Sequence, residues 1–300
     1  MEIGVYSPSG GWGQKARIAA IARHLPLDQV MVYTLEGGRG NAPLDYFGIP
    51  WVAVKCESPN CGGVSPQKFA TFIADRRPDT LIMDAWPYGT FNREMANYIK
   101  SRGSARTFFT CRRNPYIEVP DYPLYPSDFQ AIVKFESESP VPGIDLDPIL
   151  PFDEHEILPR ASARAAIGAG ERPFVLILPS GYSSPDVVSF ARAACEKRGI
   201  DHEVWDGYPV MPNLTGPDLV ITFAGSVVNE LRALGTPYQA VAAHVDSRDQ
   251  ALRANATPAS MIAAIDGLEV LDPWVPHYRN NARRAAALLA GNLDWESIDG

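Results

Sequence analysis

The stretch Asp218-Leu219-Val220-Ile221-Thr222-Phe223-Ala224-Gly225-Ser226-Val227-Val228-Asn229-Glu230 decides how this chain reads. Leu219 to Thr222 has the length and β-branched content of a strand buried on both faces. A small-residue turn follows, and a helix runs from about Ser226 to Leu234. A buried strand that turns straight into a helix is the repeating unit of a parallel sheet. Glycine lets that turn be tight, so Gly225 and Ser226 present amides and a hydroxyl at a helix start, where an anion is favoured. Glu230, one turn farther on, is placed to accept hydrogen bonds from a diol. Beyond a strand at Tyr238 to Val241, Asp249 and Gln250 fall in a loop suited to gripping hydroxyls.

The same alternation extends outward in both directions. Strand-length apolar runs occur at Ile3 to Tyr6, Val30 to Thr34, Trp51 to Val54, Thr80 to Met83, Thr107 to Thr110 and Ala131 to Phe135. Helix-period segments lie between them at Gln14 to Leu25, Pro66 to Arg76 and Phe91 to Arg102. From Phe135 to Arg160 there are seven acids and five prolines, with no Lys or Arg before Arg160 itself, which reads as an interdomain connection. Strands then resume at Phe174 to Leu178 and His202 to Trp205, with a helix at Pro185 to Arg198 and further helices after Arg248, Pro258 and His277. The expectation is an α/β chain of two doubly wound, Rossmann-like domains, residues 1–150 and 151–300, facing across a cleft. The last helix is expected to pack back across the first half. In such sheets ligands sit at the carboxyl ends of the strands, so chemistry belongs in the loops that follow strands.

Composition bounds the function. The 300 residues are 46% apolar and 21% charged, with 27 Lys plus Arg against 35 Asp plus Glu and a net charge of -8. A general nucleic-acid coat or an anionic-membrane binder draws on a large positive field, which this balance does not supply. No run nears the roughly 20 apolar residues of a membrane helix, and the chain opens on a strand-like run with no apolar leader, so a cytoplasmic location is expected. Cys56, Cys61, Cys111 and Cys195 are too few and too scattered for a disulfide framework. Cys56 and Cys61 are half a zinc set that no CxxC or paired His completes.

A second glycine-bearing loop follows the first strand: Ser7-Pro8-Ser9-Gly10-Gly11-Trp12-Gly13-Gln14-Lys15. Its spacing is not the GxGxxG of dinucleotide sites, and no acid follows the next strand at the usual place. Gly11, Trp12 and Gly13 nevertheless open a helix whose amides are available to an anion or a polar oxygen.

Taken together, small-Gly, Glu230, then Gly235-x-Pro237 and Asp249-Gln250 resemble the donor-nucleotide motif of GT-B glycosyltransferases, especially the peptidoglycan N-acetylglucosaminyltransferase group. Gly10 to Arg17 looks like the acceptor-side loop of that group, and Pro78 to Gly89 like its Asp-x-x-Pro-x-Gly strand end. The resemblance implies a nucleotide-sugar substrate, UDP-linked by family habit, no separate cofactor, and sugar transfer with inversion. It places Gly225 and Ser226 on the donor phosphates, Glu230 on the ribose, and Asp249 with Gln250 on the transferred sugar. The base would lie near Trp205 to Tyr208, and Ser180-Gly181 would be the first loop of the donor domain. Where the family pattern carries His in the acceptor-side loop, this sequence has Gln14 and Lys15. A nucleotide-sugar hydrolase or epimerase of the same fold and a noncatalytic nucleotide-sugar-binding subunit stay open.

Transfer requires a cradle for the departing diphosphate and a group that deprotonates the acceptor hydroxyl. Asp84, at the end of a buried strand where partial desolvation raises a carboxyl, is the expected base. Lys15 is expected to bind phosphate and Gln14 to orient the acceptor. No metal is required, because helix dipoles and cations can neutralise the leaving group. Asp145-Leu146-Asp147 has the DxD form but lies in the acidic connection, and the five His never fall at ligand spacing. Arg112 and Arg113 follow a strand in a stretch without acids, which points to an anionic acceptor: a phosphorylated lipid, a glycan or a modified nucleic acid.

Overall fold

The computed structural model describes residues 2–7, 12–35, 38–54, 75–84, 89–90, 93–102, 107–111, 122–123, 125–134, 143–146, 148–179, 185–223, 225–242, 254–269 and 278–291. The chain divides into two compact units, Met1–Pro151 with Asn280–Gly300, and Phe152–Arg279.

The first unit is built on a parallel sheet whose strands are β1 (Ile3–Ser7), β2 (Val30–Leu35), β3 (Trp51–Val54), β4 (Thr80–Asp84), β6 (Thr107–Cys111), β8 (Ala131–Lys134) and β9 (Ile144–Asp145). Their order across the sheet is β3-β2-β1-β4-β6-β8-β9. From β1 the chain steps one way to β2 and β3, then returns to lay β4, β6 and β8 on the other side, so the order reverses between β1 and β4. A short antiparallel pair, β5 (Gly89–Thr90) with β7 (Tyr122–Pro123), stands apart. Helix α1 (Trp12–Ala22) is buried along most of its length, because Ile18, Ala19, Ala20 and Ile21 enter one apolar core with Ile3, Val5, Val32 and Ile82. Helix α2 (Ala42–Tyr46) and α3 (Arg93–Ser101) complete this part of the unit.

The second unit carries β10 (Phe174–Leu178), β11 (Asp201–Val204), β12 (Leu219–Phe223) and β13 (Tyr238–Val241) in the parallel order β11-β10-β12-β13. β10 and β12 are buried at every position, as their unbroken apolar sequences require of strands covered on both faces. Here the order reverses between β10 and β12. Helices α4 (Arg160–Ala166), α5 (Pro185–Arg198), α6 (Val227–Leu234) and α7 (Pro258–Asp266) surround the sheet segments. Ala191, Ala194 and Cys195 of α5 and Met261 and Ile265 of α7 pack on Val175, Ile177, Leu219 and Ile221.

A buried ion cluster anchors α4. Both oxygens of Asp218, at the entry to β12, are taken: one by Arg160, the other by Arg164 at 2.8 Å and by the Phe174 amide at 2.9 Å. Gly216 sits where a Cβ would fall 2.9 Å from the backbone of Ala163 and Arg164, so the close approach of α4 requires a glycine.

The final helix, α8 (Ala282–Leu289), belongs to the first unit. Its Ala282, Ala285, Ala286, Leu288 and Leu289 enter the same core as α1. The Asn280 side chain holds its entry by accepting from the Leu150 and Ala282 amides and donating to the Leu150 carbonyl at 3.0 Å.

Two expectations shift. The acidic stretch between the halves is not wholly a connection, since Ile144–Asp145 pairs with β8 as the seventh strand of the first sheet. The first helix begins at Trp12 and ends at Ala22, earlier at both ends than expected. The expected helices at Pro66 to Arg76, apart from Asp75 and Arg76, and directly after Arg248 lie outside the described residues.

Candidate functional site

In a doubly wound sheet the crevice for a ligand opens where the strand order reverses, at the carboxyl ends of the two strands concerned. In the second unit this is the end of β12, where α6 begins. Ser226 occupies the position before the helix with φ -65° and ψ -23°, and its hydroxyl caps none of the helix amides. The Gly225 amide bonds back to Phe223 at 2.6 Å, while Val228 and Asn229 bond to Gly225 and Ser226. Among the described residues the Ser226 and Val227 amides make no backbone hydrogen bond. A helix start without a side-chain cap suits an anion, since its amides and the helix dipole act together.

Glu230 lies in the first turn of the same helix and is partly buried. Burial pushes its carboxyl up to about 8, and among the described residues it has no ion pair or hydrogen bond to offset that cost. The opposite side of α6 is apolar, with Val228, Leu231 and Leu234 buried, and the helix stops at Gly235, whose φ of 67° suits glycine.

Trp205 follows β11, and its amide continues the ladder by bonding to Ile177 at 3.0 Å. Its indole N–H donates to the Gly207 carbonyl at 2.9 Å, which holds a tight loop against the sheet. β10 therefore separates Trp205 from Gly225 and Ser226 in the sheet order. Ser180, Gly181, Asp249 and Gln250 lie outside the described residues.

In the first unit the reversal falls between β1 and β4, and Ser7 and Asp84 end these strands. The Ser7 hydroxyl donates to one Asp84 oxygen at 3.1 Å, and the Arg17 guanidinium lies 3.8 Å from the other. The Lys15 ammonium donates to the Ser7 carbonyl. Lys15 is 0% exposed and Asp84 2%, so neither presents its charge to solvent. Lys15, the expected phosphate ligand, is thus turned to the Ser7 carbonyl, and Asp84, the expected base, has Ser7 bonded to one oxygen and Arg17 near the other. Burial lowers the Lys15 ammonium to about 7, with Asp84 pulling the other way.

Trp12 and Gly13 form the first residues of α1 and are partly exposed. Gln14 shares that turn, and its side chain lies outside the described residues, as do Gly11, Arg112 and Arg113. Sequence reasoning left Ser7 and Arg17 without a role. Their signal was polarity in otherwise apolar elements, since Ser7 ends a buried strand and Arg17 interrupts the apolar run of α1.

Asp153, His155 and Glu156 bring ligand-type atoms within 4.8 Å of one another, a grouping the histidine spacing did not suggest. The Glu156 carboxylate accepts from the Asp153 amide at 2.7 Å in a capping box at a one-turn helix, which accounts for their proximity. No helix among the described residues is long and apolar enough to cross a membrane.

No protein-family model matches the sequence, and no curated protein matches it. Among solved structures the chain is similar to the glycosyltransferase VinC in complex with DTDP, at 11% identity and a TM-score of 0.55, covering 99% of this chain and 96% of that one. It is similar to MurG of Acinetobacter baumannii at 12% identity and a TM-score of 0.54, covering 99% and 92%. It is also similar to the spinosyn rhamnosyltransferase SpnG complexed with spinosyn aglycone, at 13% identity and a TM-score of 0.54, covering 97% and 95%. The chain therefore has the GT-B fold over nearly its whole length.

Proposed function

We propose that this chain is a glycosyltransferase that moves a sugar from a nucleotide-activated donor to an acceptor hydroxyl. The observation that carries this reading is the uncapped start of α6 at the reversal point of the second sheet, with Glu230, which has no partner among the described residues, one turn beyond. The amides and dipole of an uncapped helix start suit a diphosphate, and a carboxyl one turn along suits the ribose diol. The similar structures are glycosyltransferases of this fold, and one of them was obtained with DTDP. Charge on the departing diphosphate is offset by the α6 dipole, which acts without a metal. Of the nucleotides, UDP is the first candidate through the sequence resemblance. Inverting transfer to an anionic acceptor, in a cytoplasmic setting, completes the reading.

Titration calorimetry of the full chain with UDP, TDP, GDP and their sugars tests it. One nucleoside diphosphate should bind at micromolar concentration and raise the unfolding temperature, because a ligand selective for the folded state stabilises it. Glu230→Ala should weaken that binding about tenfold or more, the loss of hydrogen bonds from a ribose diol. Absence of binding by all three nucleotides refutes the reading.

A further inference from the structure

We propose that Asp84 is a positioning residue, which acts through Ser7 and Arg17 to fix where the chain leaves β1 and β4 at the reversal point of the first sheet. The inference rests on the sugar-transfer reading above.

β1 and β4 are parallel neighbours with Tyr6 opposite Met83, so Ser7 and Asp84 are the next residues on the two strands. Their 3.1 Å hydrogen bond joins the strand ends after the paired ladder has run out. The Arg17 guanidinium, from α1, lies 3.8 Å from the other carboxylate oxygen, and Lys15, two residues earlier on the same helix, donates to the Ser7 carbonyl. One carboxylate thus reaches two strands and a helix.

All four side chains are buried, and three of them are charged or chargeable. Apolar side chains of similar volume would fill the same space at lower desolvation cost, so packing alone does not explain the cluster. Directional polar links, here the hydrogen bonds of Ser7 with Asp84 and of Lys15 with Ser7, do what apolar packing does not, which is to specify one arrangement of the groups they join. The network sits at the ligand-facing ends of the strands, where a small misplacement of the departing chain misaligns an acceptor. Asp84 is 2% exposed, so its influence is assigned to the groups that it holds.

The test measures release of UDP from UDP-glucose and UDP-N-acetylglucosamine by the full chain, for Ser7→Ala, Asp84→Asn and the double variant. Each single change should lower turnover roughly tenfold to a hundredfold, the scale of a small misplacement in a reacting pair. The double variant should be no slower than the slower single one, because both break one link. The Kd for UDP should stay within about twofold and the acid limb of the pH profile should keep its midpoint. If Asp84→Asn removes both turnover and the acid limb while Ser7→Ala runs at the wild-type rate, Asp84 is the base and the proposal is overturned. Equal, additive losses that also weaken UDP binding overturn it too, since they mark general loss of structure.

A chain that binds no nucleotide refutes the sugar-transfer reading, and the cluster is then judged by itself. Carbon-13 NMR of labelled lysine follows the titration of Lys15 in wild type and in Asp84→Asn. Loss of the nearby carboxylate should move the Lys15 midpoint down by about half a pH unit or more. An unmoved midpoint shows that the two side chains do not share one network, and refutes the proposal.

Discussion

Replacing Lys15 with Met should change how the first unit responds to pH, and the sign follows from burial. In the unfolded chain the ammonium titrates near 10.5; in the native one burial lowers it to about 7. Between these values the unfolded chain holds a proton that the folded one lacks. Stability therefore rises with pH across the window, by up to about 1.4 kcal/mol per pH unit. The contribution is complete above 10.5 and is lost as the pH falls through about 7. Lys15→Met removes the titration while keeping most of the buried volume. From about pH 7 to 9 the wild type should gain about 2 kcal/mol relative to the variant. The window stops there because the slope fades as the pH nears the unfolded value of 10.5. Hydrogen exchange of the β1 peptide in increasing urea reports on the first unit alone, and the comparison of two proteins cancels every group that they share. If the two stability curves run parallel within about 0.5 kcal/mol, well short of the expected gain of about 2 kcal/mol, Lys15 is not a buried ammonium beneath β1 and the reasoning fails.

Three further outcomes are expected. Burial raises Glu230 from 4.5 to about 8, so its effect has the reverse sign: stability falls as pH rises between these values, and Glu230→Gln should flatten that fall, as read by urea unfolding of the second unit. Asp218→Asn leaves the partly buried Arg160 and Arg164 without their counter-charge and should cost about 3 kcal/mol, seen as a lower urea midpoint for the second unit, whereas an effect under about 1 kcal/mol contradicts the ion cluster. Gly216→Ala drives a Cβ into the backbone of α4 and should cost roughly 1–3 kcal/mol by thermal melting, and an unchanged Tm would show that α4 docks differently.

Much of the fold was legible locally. Trp51–Val54, Phe174–Leu178 and Tyr238–Val241 are strands with the expected ends, and Pro185–Arg198 is a helix with the expected ends. Each is bounded by turn-forming residues and is long enough for its periodicity to show. Ile144–Asp145, Ala42–Tyr46 and Arg160–Ala166 were not legible. The first two hold too few residues to show a period, and α4 is held by Arg160 and Arg164 reaching Asp218 more than fifty positions away. The glycine-led start of α6 was readable because its signal lies within a dozen consecutive residues. The absence of a capping bond from Ser226 was not, because rotamer choice answers to neighbours outside that stretch.

What the amino-acid order determined unaided was the alternation of buried strands and helices, hence parallel sheets and ligands at strand ends. Those properties depend on period and local turn chemistry. Tertiary structure alone decided where each sheet reverses its order, because that is a matter of which strands hydrogen-bond. It also decided the neighbours of Lys15 and Asp84, which the sequence places only at a helix start and a strand end. Residues 77 positions apart in sequence, Ser7 and Asp84, meet only when β1 and β4 lie side by side, and that meeting leaves the Asp84 carboxylate buried and hydrogen-bonded.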